Sequence, residues 1–476
     1  MKKQKPKVKN KKKPVVKENN NDIFHEHIIK HKNDLPNHFN NNHLDIQSNS
    51  WFDIKKYDAY KHHTNIKLKN KFVKKEIINC QKIKMILNSE QKRILDKWFY
   101  VCTKIYNEAL TYIKNNYSFT KFDVTRAKLI DELNRSKNND EQNFFNFYNI
   151  RHQLKDIKKD IQKQSKLEDC DKNTTIHIHT LDYSIKQLCT NIDSASTNLL
   201  RGNIKRFRLK YWRNNRCSKT IDIEKVNFKD NKLCPHIFGN IKYIYNKKKV
   251  DLINIDSDVK INYNSITDEY LLLVPIKTIN EQTENKTGNL ICLDPGLRTF
   301  MTGISEKESL EIGNNVNSIV AKDIRRLTKI QKNKNIPKRI KKKNETLINR
   351  KISNKIDDLQ WKSIKYLTNT YNAVYLGNMS AKSIVKNNNS VLNKYQKIAC
   401  LRTKYFQFKM RLEYKCVSHN VHFKYVDESY TSKTCSECNY YDKDLGSSKI
   451  YICKECPNIM KRDINGARNI YIKSLI

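Results

Sequence analysis

Four cysteines near the carboxyl end constrain this chain more than any other feature. Cys435, Cys438, Cys453 and Cys456 form two CxxC pairs with 14 residues between them. Two such knuckles can place four thiolates at the corners of a tetrahedron, the geometry zinc prefers, and a site closed by four protein thiolates leaves no position for a substrate. A structural zinc ribbon over 430–460 is therefore expected. Nine further cysteines are scattered singly, and an odd total of 13 does not make a disulfide framework. This predicts an intracellular protein. In agreement, the sequence has no apolar run of about 18 residues that could span a membrane, and its start lacks the apolar core of a signal peptide.

Charge narrows the partner. The chain sets 93 Lys and Arg against 49 Asp and Glu, a formal net charge of +44, well beyond what solubility requires, so a polyanion is expected. Nucleic acid is the leading reading, and a membrane surface the rival that the missing apolar span weakens. The 476 residues suffice for about two to four domains.

Residues 1–75 open on KKQKPKVKNKKKP and continue through Asn- and His-rich sequence with little periodicity, which predicts a disordered basic tail. Its basic cluster suits a nuclear localisation signal or contact with phosphates. KKEIINCQKIKMIL then reads as a strand. NSEQKRILDKWFYVCTKIYNEALTYI reads as a helix, capped by Asn88 or Ser89, with Ile94, Trp98, Cys102, Ile105, Ala109 and Ile113 on one face. A second stripe through Leu181, Ile185, Leu188, Ile192 and Leu199 completes a helical lobe over 91–204. In IKRFRLKYWRNNR, Phe207, Leu209 and Tyr211 alternate with Arg208 and Lys210. The alternation predicts a strand with one apolar and one cationic face, on which Tyr211 or Trp212 could stack on a base; a solvated basic edge strand is the plain alternative. Short β-like runs continue to about residue 282.

From Gly288 onward strands alternate with helices, the pattern of an α/β sheet. Asp294 ends the apolar run of NLICLDPG, at the carboxyl end of a strand, where open α/β sheets hold ligands. Alone, it reads equally as a turn-former. Asp463 begins the last helix, where capping is the plain alternative. Glu428 closes the strand VHFKYVDE. Three carboxylates at element ends in one domain of a cationic protein suit two Mg²⁺ ions, one activating water and one stabilising the leaving 3′-oxygen.

ICLDPG, the basic helices, YTSKTCSEC, CKEC and RDINGARNI together resemble the RuvC-type nuclease domain, with inserted zinc ribbon, of the transposon-encoded TnpB proteins and of their eukaryotic and viral relatives, the Fanzor proteins. LNSEQKRILDKWFYVCTKIYNEAL is similar to the amino-terminal segment of the same families. The likeness covers roughly 80–476 and is most specific over 288–476. It implies an RNA-guided DNA endonuclease of multidomain α/β build. Its parts would be a RuvC-like nuclease domain of RNase H-like fold over 288–476, and a β-barrel wedge domain over 76–90 and 205–282 interrupted by a helical recognition lobe over 91–204. Mg²⁺, structural zinc, a guide RNA and a target DNA are implied with it, as is action as a monomer with its RNA, in the nucleus where the host is eukaryotic.

Carried over position by position, Asp294 matches the first catalytic aspartate and Asp463 the last. The middle position departs. The strand aligned with VYLGNM ends in a catalytic glutamate in TnpB, whereas Gly377 stands there in this chain and NAVYLGNMSAKS contains no acid. VHFKYVDE should lie beside that strand in an RNase H-like sheet. The Fanzor pattern, with its middle glutamate moved to the segment before the ribbon, assigns the role to Glu428. Asp427 is the alternative; strand alternation sends the two neighbours to opposite faces, so only one of them can serve. The glycine keeps open a nuclease-inactive RNA-guided repressor, and an unguided zinc-ribbon DNA-binding protein is a third reading.

Overall fold

A seven-stranded sheet organises the carboxyl-terminal half of the computed structural model, which describes residues 39–49, 52–59, 76–117, 120–138, 146–246, 248–252, 255–279, 288–386, 392–446 and 448–475. Its strands are β1 (Phe39–Asn49), β2 (Phe52–Ala59), β3 (Gly288–Pro295), β4 (Met301–Ser305), β5 (Glu308–Ile312), β6 (Tyr371–Gly377) and β7 (His422–Val426), in the spatial order β1-β2-β5-β4-β3-β6-β7. β3, β4 and β5 form an antiparallel meander, while β6 lies parallel to β3 and β7 parallel to β6. The longer helices that accompany the sheet are α1 (Val316–Lys332), α2 (Lys338–Thr370), α3 (Lys394–Arg402), α4 (Tyr405–Ser418) and α5 (Arg462–Ser474), with a short helix at Ala381–Lys386.

Both faces of β3 are covered, which explains its unbroken apolar run. Ile291 and Leu293 pack into the layer made by α1, α2 and α4, and Leu290 and Cys292 into the layer made by α5. The stripe Ile348, Ile352, Ile356, Leu359 and Leu367 is buried along α2, whose N-cap is Pro337. The preceding helix α1 has already ended at Lys332, with Asn333 as its C-cap, and Pro337, which has no N–H to donate, stands where the next helix begins.

The tail expected to be disordered over 1–75 contains the hairpin β1–β2. β2 pairs antiparallel with β5, with Ile312 opposite Ile54 and Glu311 opposite Lys55, which leaves β1 at the edge of the sheet. Ile54 is buried in the core beside Ile312 and Leu310. An added strand is held by its backbone ladder and needs few apolar side chains, so the sequence there carries little signal. The expectation for 1–38 and 60–75 falls outside the described residues.

Ile78–Thr278 forms a separate compact unit. Its six-stranded sheet runs in the order Lys248–Val250, Lys242–Tyr245, Glu76–Ile86, Glu269–Ile279, Val259–Asn264, Ser218–Ile223. Among the described residues this sheet has two edges, where a closed barrel was expected. The helix Ser89–Asn116 starts on a capping box between Asn88 and Gln91, and the expected stripe from Ile94 to Ile113 is buried. That stripe shares one core with Ile185 and Leu188 of the helix Ile178–Leu200 and with Ile83, Ile261 and Leu272 of the sheet. The helices and the β segments, expected as separate lobes, are therefore one packed body.

Candidate active site

The register of the seven-stranded sheet brings the carboxyl ends of β3, β6 and β7 to one level. Leu293 pairs with Leu376, and Gly377 with Val426. Alternation turns Asp294, two residues past Cys292, and Gly377, two past Tyr375, toward the α5 layer. Asp463 comes from the first turn of α5. Asp294, Glu428 and Asp463 line one cleft of about 460 Å³, together with Arg298 and Arg462.

Two glycines shape this cleft. A Cβ on Gly466 of α5 would lie 2.6 Å from Asp294 Oδ2, so the carboxylate rests against helix backbone. A Cβ on Gly377 would stand 3.0 Å from Glu428 Oε2. The acid two residues past β7 thus reaches the space that a side chain at the end of β6 would fill. Asp427 does not line the cleft: it is exposed, accepts a hydrogen bond from Ser429 Oγ at 2.9 Å and pairs with Lys473 at 3.4 Å. Burial would raise its pKa, but the Ser429 bond and the Lys473 charge outweigh this, and its carboxyl sits below the usual range.

The electrostatics of the cleft are those of crowded acids. Burial, reinforced by the charges of Glu428 and Asp463, raises the pKa of Asp294 well above the carboxylate range. Burial likewise raises Asp463, with Arg298 opposing and Glu311 adding to the shift. Glu428 is pushed up to about 7 by burial and by Asp427, against the pull of Lys409 and Lys473. Its buried Oε2 has no hydrogen-bond partner. Among the described residues, the groups whose ligand atoms all lie within 4.8 Å of one another are the four cysteines and the set His177, His179 and Glu224. The three carboxylates stand farther apart, as repulsion between like charges favours. An orphaned carboxylate oxygen and an excess of confined negative charge fit a hard divalent cation.

The second site is the cysteine cluster. Cys435 and Cys456 have their Sγ atoms 3.7 Å apart, and Cys438 and Cys453 3.5 Å. Four thiolates 2.3 Å from one tetrahedral zinc would stand about 3.8 Å apart, so the donor set fits that ion. The second pair sits in the turn that joins the two strands of a small antiparallel ribbon, β8 (Ile450–Ile452) and β9 (Ile459–Lys461), with Tyr451 buried against Cys435 and Cys453. Asn458 Nδ2 donates to Cys435 Sγ at 3.3 Å and the Glu455 amide to Cys453 Sγ at 3.4 Å, which orients the sulfurs.

Residues 405–470 match the family model described as "Cas12f1-like, TNB domain", and residues 81–121 one described as "Helix-turn-helix domain". Over 456 residues the chain is 31% identical to a TnpB-like protein of Acanthamoeba polyphaga mimivirus, the match covering 90% of this chain and 83% of the relative. The chain belongs to the TnpB-like family. A putative transposase of Paramecium bursaria Chlorella virus 1 is 26% identical over 427 residues, 85% of this chain and 89% of the relative. A solved complex of Cas12f1 with single guide RNA and target DNA aligns with a TM-score of 0.41 at 15% identity, covering 81% of this chain and 83% of that one. So loose a likeness carries no argument here.

In this TnpB-like chain the basic segment departs from expectation. The strand expected from the Phe207–Tyr211 alternation shrinks to Arg206–Phe207, paired with Val124–Thr125. Beyond it, the Asn107 side-chain amide binds both the N–H and the C=O of Trp212, at 2.8 and 3.0 Å, removing the groups a ladder needs. The indole stacks on Tyr106 with centroids 3.5 Å apart, and the Arg216 guanidinium lies 3.6 Å from the same ring. Groups this close must occupy opposite faces, so Trp212 has none left for a base. Tyr211 is half exposed, with the Lys114 ammonium 4.1 Å from its ring centre. Arg208 and Lys210 are exposed.

Sequence reasoning missed the cations that border the acids, namely Arg298, Lys409, Arg462 and Lys473. For two of them a signal existed, since Arg298 follows Asp294 by four residues and Arg462 adjoins Asp463. Among the described residues, no helix is long and apolar enough to cross a membrane.

Proposed function

We propose that this chain is an RNA-guided DNA endonuclease whose RuvC-type domain, over 288–476, hydrolyses phosphodiesters with Asp294, Glu428 and Asp463. The observation that carries the reading is the Glu428 carboxylate, which reaches the space beside Gly377 and lines one cleft with the two aspartates. These three residues would hold Mg²⁺, which when bound supplies the Lewis acidity that activates water and stabilises the leaving oxygen. The chain's own cations have separate work. Arg298 and Arg462 line the cleft where they can meet non-bridging phosphate oxygens, and Lys409 and Lys473 favour the ionised form of Glu428. The cysteine cluster holds a structural zinc in the ribbon. The Ile78–Thr278 unit supplies the wedge and recognition parts, and the net charge of +44 supports a guide RNA and a target DNA as partners.

The test is cleavage of a guide-matched DNA in Mg²⁺ by the protein purified with its RNA. Asp294→Ala, Glu428→Ala and Asp463→Ala should abolish cutting while leaving target binding nearly intact, and Asp427→Ala should still cut. Active Glu428→Ala protein would overturn the assignment. The departure at Gly377 keeps one other reading in view: wild type that binds target through its RNA but never cuts in Mg²⁺ is a guided repressor. Absence of copurified RNA would leave an unguided DNA-binding protein.

A further inference from the structure

Helix α5 buries three polar side chains that the carboxylate site does not use. Asn465, Arg468 and Asn469 are all 0% exposed, spaced so that they share one face of the helix. Buried polar groups must find partners or destabilise the fold. The main partners lie in one short segment, 431–437, which runs from the turn after β7 into the first cysteine pair; Arg468 also approaches Met460 Sδ at 3.9 Å. Asn465 Nδ2 donates to the Thr434 carbonyl at 2.7 Å, and its Oδ1 accepts from the Ser436 amide at 3.0 Å. Arg468 pairs with Glu437 at 2.5 Å. Asn469 Nδ2 donates to two carbonyls, those of Thr431 and Thr434, each at 2.7 Å.

Asn469 differs from the other two in where its hold ends. Asn465 and Arg468 grip 434–437 and so fasten the ribbon. Asn469 alone of the three reaches Thr431, and Thr431 donates to the Glu428 carbonyl through Oγ1 at 2.8 Å and through its amide at 3.3 Å. Asn469 Oδ1 has no hydrogen-bond partner, so the residue serves through its amide donors. The helix that makes this grip also carries Asp463, six residues and about 9 Å earlier along the axis, and abuts Asp294 at Gly466.

We propose that Asn469 is a positioning residue for Glu428: it ties the turn that follows Glu428 to the helix that carries Asp463, so the two carboxylates are held as one body. The proposal rests on the reading that Glu428 belongs to a metal-binding site. It explains why the segment RDINGARNI carries amides at two positions beyond its aspartate. Asn465 and Arg468 keep the ribbon docked whether or not Asn469 is present, so the two roles can be separated.

The experiment uses the full chain, zinc-loaded and with its RNA. In Asn469→Asp the shape is kept but both donors are lost and a carboxylate faces two carbonyls. Zinc content and target binding should stay at wild-type levels. The amides of 429–432 should exchange hydrogen faster, and the Mg²⁺ concentration for half-maximal cleavage should rise about tenfold or more, the usual effect of losing an outer partner of a metal ligand. Asn469→Gln, which keeps the donors, should recover part of the Mg²⁺ affinity. Thr431→Val removes the shorter of the two bonds to the Glu428 carbonyl and leaves the amide bond, so it weakens the same link at its other end without touching the helix, and should raise the Mg²⁺ requirement in the same direction if Asn469→Asp folds poorly. Unchanged exchange at 429–432 with unchanged Mg²⁺ dependence would overturn the proposal, as would loss of zinc in parallel with activity, since that marks a ribbon anchor only. Glu428→Gln is the control for the underlying reading. If it cuts like wild type, the metal-site assignment fails, while the exchange data still decide whether Asn469 holds the turn.

Discussion

Replacing Glu428 by glutamine should make the Mg²⁺-free protein more stable at pH 8 while destroying its activity. In the folded chain Glu428 keeps its proton up to about pH 7, because burial and the nearby Asp427 disfavour the charge, whereas its ordinary value is 4.5. Between those two pH values the folded state binds more protons than the unfolded state, so stability falls as pH rises across that window and is flat above it. A shift of that size corresponds to about 3 kcal/mol for a fully desolvated group. Glu428 is partly exposed to the cleft, and solvent screening reduces the figure to about 1–2 kcal/mol. Glutamine removes the charge and keeps the shape. It still leaves a polar atom near Gly377 without a partner, but a neutral one, which is less unfavourable to bury. Thermal unfolding in Mg²⁺-free buffer that leaves zinc bound should show Glu428→Gln melting about 1–3 °C above wild type at pH 8, with the difference vanishing near pH 4.5. Mg²⁺ should raise the wild-type melting temperature more than that of the variant. A variant less stable than wild type at pH 8, or a difference independent of pH, would refute the account of Glu428 as a carboxylate held against repulsion.

Three further outcomes follow from other parts of the molecule. Cys453→Ser should release the ribbon's metal and expose 430–460 to proteolysis; elemental analysis that finds no zinc in well-folded wild type would refute the site. Charge reversal at Arg208 and Lys210 should weaken nucleic-acid binding by a similar factor across sequences and flatten its salt dependence, by about 0.9 in the log–log slope for each duplex-DNA phosphate that is no longer neutralised; losses that depend on sequence would assign these residues to base reading. Trp212→Ala should lower stability by about 2–4 kcal/mol through poorer packing, seen as a drop in melting temperature; normal melting with weaker nucleic-acid binding would show that the indole meets a base after all.

How much of this was legible in the sequence depends on whether a residue's role is local. The cysteine spacing, the stripes of Ile94–Ile113 and Ile348–Leu367 and the strand end at Asp294 are short-range patterns, and the elements form where the patterns imply; the strand expected to run through Glu428 stops at Val426, two residues short of it. Trp212 misled because alternation over six residues is weak against a tertiary competitor: one Asn107 amide captures the backbone that the strand would have used. β2 was missed because a strand added to a sheet is specified by its partner's ladder, a backbone pattern with no sequence signature. Asn469 was missed because its partners are carbonyls 35 and 38 residues away, and a backbone acceptor has no sequence signature.

Gly377 and Glu428 are best understood as one feature. Leaving the end of β6 without a side chain could be taken as the loss of an acid, but the space there is not open. A Cβ on Gly377 would meet Glu428 Oε2 at 3.0 Å, Ile470 Cδ1 at 3.1 Å and Pro295 Cδ at 3.1 Å. The first of these is the end of a flexible chain, whereas the other two belong to the α5 layer and to the end of β3. Glu428 stands two residues beyond Val426, the partner of Gly377 and the last residue of β7, and its side chain reaches across to the end of β6. It can do so because nothing projects from β6 at that level. A glutamate placed just past β7 therefore needs the glycine on β6 for its carboxylate to reach the cleft. The chemistry of a metal site depends on where the oxygen ends, and not on the strand that carries it.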